Sequence, residues 1–191
     1  LDEPARQVAL KANLSEADVS GLRALGVCIN YNGYGPSLDD LHFHPNELYA
    51  ALYEAGHPGA FIDSDSFRQL SEGYSQDVAA SEALAPALIQ PGFAMYQLPN
   101  TAWARRVRGV FSNDLVRAHP ARAHAVLTEQ DDGAFLVSVR APFHHRFGAE
   151  KVCAQFETGG GRAAAAGINR LAADDLDRLI AALATEYGDQ R

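Results

Sequence analysis

The spacing of apolar residues changes once along this chain, at the segment from Ala85-Pro86 to Pro91-Gly92. Before it, the pattern is helical. Ser15-Glu16-Ala17-Asp18 reads as a capping box, with Val19, Leu22 and Leu25 on one face and Gly26 as the expected stop. Pro45 suits the first turn of a helix that carries Leu48, Tyr49 and Leu52 and closes at Gly56. Phe67, Leu70, Tyr74, Val78 and Leu84 trace a stripe over residues 64–84, a face for core or interdomain packing.

After Gly92 the pattern mixes strands and helices. Residues 93–98, 124–128, 134–140 and 165–169 read as strands, and Asp131-Asp132-Gly133 as the turn joining the middle pair. Residues 101–118, with Trp103, Val107, Val110, Phe111 and Leu115 on one face, read as a helix, as do 149–156 and the stretch ending at Gly188. The expectation is an α+β chain with a helical segment over 1–85 and a mixed β-sheet domain with flanking helices over 92–191.

Charge follows the same division. Residues 1–100 hold 13 Asp/Glu against 4 Lys/Arg, and residues 101–170 hold 10 Lys/Arg against 6 Asp/Glu. The formal net charge of −8 argues against a general nucleic-acid binder, yet the basic stretch marks where an anionic ligand would sit. Fourteen of the 16 basic residues are Arg, whose planar fork grips phosphate through two bonds. Cys28 and Cys153 have no CxxC spacing and read as buried thiols in a reducing compartment. With no secretory pattern and no long apolar run, a cytoplasmic protein without a membrane span is expected.

Thr158-Gly159-Gly160-Gly161-Arg162 is the most informative local feature. Three consecutive glycines suit a loop where backbone closely approaches a ligand, and successive N–H groups there can cradle an anion. Arg162 can add a charge-assisted contact to a phosphate. A flexible glycine connection is the plainer alternative.

The order of elements, with Ser138-Val139-Arg140 ending a strand and Gly-Gly-Gly-Arg-x-x-Ala-Ala-Gly over residues 159–167, resembles the DHH-associated domain that follows the catalytic domain of DHH-type phosphoesterases. Residues 109–115, including Asn113, resemble the helix that precedes the β-pair of such domains. The resemblance covers about residues 92–190 and implies a substrate-binding role. Arg140, Arg162 and the backbone of Gly159, Gly160 and Gly161 would hold the terminal phosphate of a nucleotide or short oligonucleotide, with Asn113 reaching base or sugar.

Hydrolysis in this family belongs to the DHH domain, where aspartates and histidines bind two metal ions, usually manganese. This chain has no Asp-His-His triplet, and Phe143-His144-His145-Arg146 lacks the preceding acid. The expectation is therefore a DHH domain with its Mn2+ upstream of Leu1, residues 1–85 being the end of that domain and a linker. No residue here is assigned as nucleophile or general base. The family has histidine where Arg162 stands, and arginine cannot shuttle a proton near neutral pH.

Three other readings stay open. His42-Phe43-His44, with Asp39, Asp40 or His57, has the residue types of a metal hydrolase site. The Tyr31–Tyr34 stretch and His42 could instead contact substrate. The acidic helical half could also be a non-enzymatic protein-binding domain, with a homodimer formed through residues 64–84.

Overall fold

The computed structural model describes residues 3–188. It divides into two compact units, Leu1–Asp77 and Val78–Arg191.

The first unit is helical: α1 (Glu3–Lys11), α2 (Glu16–Tyr31), α3 (Pro45–Ala55), α4 (Pro58–Ile62) and most of α5 (Asp65–Glu82). The Ser15 side chain accepts from the Asp18 N–H while Asp18 bonds the Ser15 N–H at 3.0 Å, which closes the capping box. Gly26 does not end α2. The helix continues to Tyr31 because Leu25, Cys28 and Tyr31 extend its buried face, and core packing outweighs the roughly 1 kcal/mol that a helical glycine costs. Leu25, Cys28, Leu48, Phe61 and Leu70 form this unit's core.

The second unit is a six-stranded mixed sheet in the order β1-β2-β3-β4-β6-β5. Its strands are β1 (Leu88–Ile89), β2 (Phe93–Leu98), β3 (Ala123–Glu129), β4 (Phe135–Arg140), β5 (Gly159–Arg162) and β6 (Ala165–Leu171). β2 and β3 run parallel because α6 (Ala102–Ala118) returns the chain between them, and the other pairs are antiparallel. α7 (Ala149–Cys153) and α8 (Leu176–Tyr187) complete the unit.

Strand alternation sends residues to two separate cores. Ala94, Tyr96, Leu98 and Val126 pack with Ala104, Val107, Phe111 and Leu115 of α6, and Val78, Leu84 and Trp103 lie against that cluster. Met95, Ala125, Val137, Val139 and Ile168 pack on the other face with Val152, Leu179, Leu183 and Tyr187. The helical stripe of 64–84 thus ends with two residues in the core of the second unit, which is why the division falls within α5. α5 already ends at Glu82, ahead of the Ala85–Gly92 segment, whose Leu88 and Ile89 pair with Met95 and Ala94 as an edge strand.

The triple glycine is a strand, not a loop. Gly159–Arg162 pairs along its whole length with Ala165–Ile168 and forms the sheet edge. A Cβ on Gly159 would lie 1.8 Å from the Cys153 carbonyl oxygen, so the missing side chain is what lets α7 pack against this strand. Gly161 has φ +148, and a Cβ there would lie 2.4 Å from Ala166 Cα.

Candidate phosphate site

Residues directly opposite one another in a sheet share a face. His124 of β3 faces Arg140 of β4, Arg140 faces Ala165 of β6, and Ala165 faces Arg162 of β5. Arg140 and Arg162 therefore project to the same side, with β6 between their strands. That side is the one α6 covers, since Ala94 and Val126 of neighbouring positions belong to the α6 core. The next row on the same face is Val126, Ser138, Gly167 and Gly160. Beside the two arginines the sheet thus presents one serine and two glycines, a floor almost without side chains. A Cβ on Gly160 would meet nothing within 4 Å, so its hydrogen faces open space.

α6 supplies the wall. Asn113 Oδ1 accepts from Arg140 Nε at 3.1 Å, and Arg140 also donates to the Val139 carbonyl at 3.3 Å. Asn113 is thus a positioning residue for Arg140 in this structure. Arg108 stands five residues earlier on the same helix, where the charge of Arg140 is felt. Burial first, and the charge of Arg140 second, pull the Arg108 guanidinium below its ordinary pKa; burial and Arg162 do the same to Arg140. All three remain cations at neutral pH. Among the described residues none of the three is in an ion pair with a carboxylate. Three like charges gathered without a counter-ion repel one another, and an anion bound between them would relieve that.

The backbone contribution differs from the expected nest. Asn169 N–H donates to the Thr158 carbonyl at 3.1 Å, which sets the alternation of the β5–β6 ladder. Gly160 is thereby directed to β6, and the N–H groups of Gly159 and Gly161 are directed to the edge. Of these two edge-directed amides, Gly159 N–H is taken by the Phe156 carbonyl at 2.9 Å.

His124 borders this row. It is fully buried, its ring stacks between those of Tyr96 and His119 at 6.4 and 6.0 Å, and burial, with the charges of His119 and Arg122 adding to it, holds its pKa down at about 4. It is a neutral ring at physiological pH.

Sequence reasoning missed Arg108. The signal was present: Arg108 follows the core residue Val107, so helical geometry puts it on the flank of the α6 apolar stripe, within the basic stretch already marked as anion-facing.

The His42/His44 alternative is not assembled. His44 caps α3, its Nδ1 accepting from Asn46 N–H at 3.3 Å, and His57 caps α4 through Ala60 N–H at 3.2 Å. His42 Nε2 lies 3.5 Å from Asp77, which also accepts from the Tyr31 hydroxyl at 2.7 Å. Among the described residues no group of three or more His, Cys, Asp or Glu is placed to hold a metal ion. Tyr31 is 2% exposed and belongs to the helical core, not to an open loop. Cys28 and Cys153 are free, buried thiols, and no described helix is long and apolar enough to cross a membrane.

Comparison with known proteins adds a likeness of fold. The chain is similar to the pGpG-specific phosphodiesterase PggH from Vibrio cholerae, with a TM-score of 0.54 and 16% identity over 75% of this chain and 50% of that one. It is also similar to CDC45 from Entamoeba histolytica, with a TM-score of 0.52 and 9% identity over 83% of this chain and 36% of that one. The chain thus spans half or less of the length of either protein. No family model and no curated protein matches the sequence.

Proposed function

We propose that the unit Val78–Arg191 is the phosphate-recognition part of a phosphoesterase acting on nucleotides or very short oligonucleotides. The observation that carries this reading is that Arg140 and Arg162 project from one sheet face beside Ser138, Gly167 and Gly160, with no carboxylate paired to either among the described residues. Arg140, held by Asn113, and Arg162 grip the terminal phosphate, and Arg108 adds charge from the helix wall. Gly159 lets α7 pack against β5, and Gly160 lets the ligand approach the sheet. The fold shared with a phosphodiesterase supports a nucleotide-processing context.

The site binds and orients. It offers no nucleophile and no general base, since its side chains are guanidiniums, an amide and a hydroxyl without an adjacent base. In this reading hydrolysis is the work of a DHH-type domain carrying Mn2+.

Calorimetric titration with a 5′-phosphorylated dinucleotide, against the same dinucleotide without the phosphate, tests the proposal. Phosphate-dependent binding that falls at least ten-fold in both Arg140→Ala and Arg162→Ala is the expected result. Equal binding of the two ligands would overturn it.

A further inference from the structure

The motif Phe143-His144-His145-Arg146 has no part in the phosphate cradle, yet it leaves β4 immediately after Arg140. Both ends of its loop are clamped to the turn that carries Arg162. Ala141 N–H donates to the Ala164 carbonyl at 3.1 Å, and Ala149 N–H donates to the Ala163 carbonyl at 3.0 Å. In the middle, His144 N–H donates to the Pro120 carbonyl at 3.2 Å, and at the far end the Tyr187 hydroxyl donates to the Phe147 carbonyl at 3.2 Å. The loop is therefore exposed but anchored at four points.

On this anchored loop Phe143 is 51% exposed, and the Arg146 guanidinium lies 5.3 Å from its ring centroid. A half-exposed phenyl ring held against an arginine has the makings of a stacking platform: each aromatic base offers a π-face, and a neighbouring cation adds to the stack. Only Ala141 and Pro142 lie between Arg140 and Phe143, so at most about 10 Å of chain separates them. Phe147 is equally exposed, at 59%, but sits at the opposite end of the loop, tied to α8.

We propose that Phe143, backed by Arg146, stacks on the base of a nucleotide whose phosphate is held by Arg140 and Arg162. This rests on the phosphate reading above and extends it to the ligand's second chemical group. A phenyl ring as the stacking surface carries no hydrogen-bond code for a particular base, so stacking on it accepts purines and pyrimidines and favours those with the larger π-surface.

The test uses the full chain and two ligands, a 5′-phosphorylated dinucleotide and its analogue with the terminal base removed. Phe143→Ala weakens the base-bearing ligand about ten-fold and leaves the abasic one unchanged, Phe143→Trp preserves or tightens the first, and Phe147→Ala changes neither. Phosphate-dependent binding that Phe143→Ala leaves intact would overturn the stacking platform while the phosphate site stands. An equal loss on both ligands, or an equal loss in Phe147→Ala, would overturn it too. Absence of phosphate-dependent binding in the unaltered chain would overturn both readings together.

Discussion

His124 makes the second unit acid-labile by an amount that its surroundings fix. The ring is fully buried, and its folded-state pKa of about 4 lies below the ordinary value of 6.5 that it regains on unfolding. Between those two pH values the unfolded chain binds a proton that the folded one refuses. The His124 contribution is therefore complete above pH 6.5 and is lost as pH falls towards 4. At about 1.4 kcal/mol per pH unit the gap bounds the loss at about 3 kcal/mol, of which about 2 kcal/mol is gone by pH 4.5. The chain's single tryptophan, Trp103, lies against the α6 core and reports on this unit. Urea unfolding followed by Trp103 fluorescence at pH 7 and 4.5 gives the stability change, which also contains every titrating carboxylate. His124→Leu removes the imidazole alone, so its stability should fall by about 2 kcal/mol less than that of the unaltered chain over the same interval. Identical pH dependence in the two proteins would refute the reasoning. So would an NMR titration of the unaltered chain in which the His124 ring protonates near pH 6.5, a test that does not depend on the variant folding.

The three glycines of β5 should separate by role. Gly160→Ala meets open space, so its unfolding free energy should stay within about 0.5 kcal/mol of the parent while phosphate affinity falls, because a methyl group enters the gap between the arginines. Gly159→Ala drives a methyl into the Cys153 carbonyl and should cost at least about 2 kcal/mol in the same urea assay. Equal effects of the two on stability would contradict the β5 placement. The Cys153 thiol, buried and pushed up to about 12, stays protonated at neutral pH and should resist labelling by a thiol reagent until urea unfolds the unit; prompt labelling in native buffer would show that it is accessible.

Helix and strand placement was largely legible in the sequence, since it depends on neighbours three or four residues apart, or two. The capping box at Ser15, the proline start of α3 and the alternation of β4 are of that local kind. Gly26 shows the limit of local reading, because burial of Cys28 and Tyr31 carries α2 past it. Arg140 and Arg162 were legible as candidates through their residue type and their setting. Their presence on one face was not, because it is set by the β4–β6 register, a pairing between segments more than twenty residues apart, onto which the β5–β6 hairpin is added. The same non-local packing brings Arg108 down from α6, turns Asn113 onto Arg140, and converts the expected glycine loop into an edge strand. It also commits His44 and His57 to helix caps instead of a shared ion. Sequence by itself thus determined which chemistry the chain could hold, since residue type and short-range spacing are written into it. Tertiary structure decided which of those residues meet, because strand register and helix docking are chosen by the burial of both sheet faces at once.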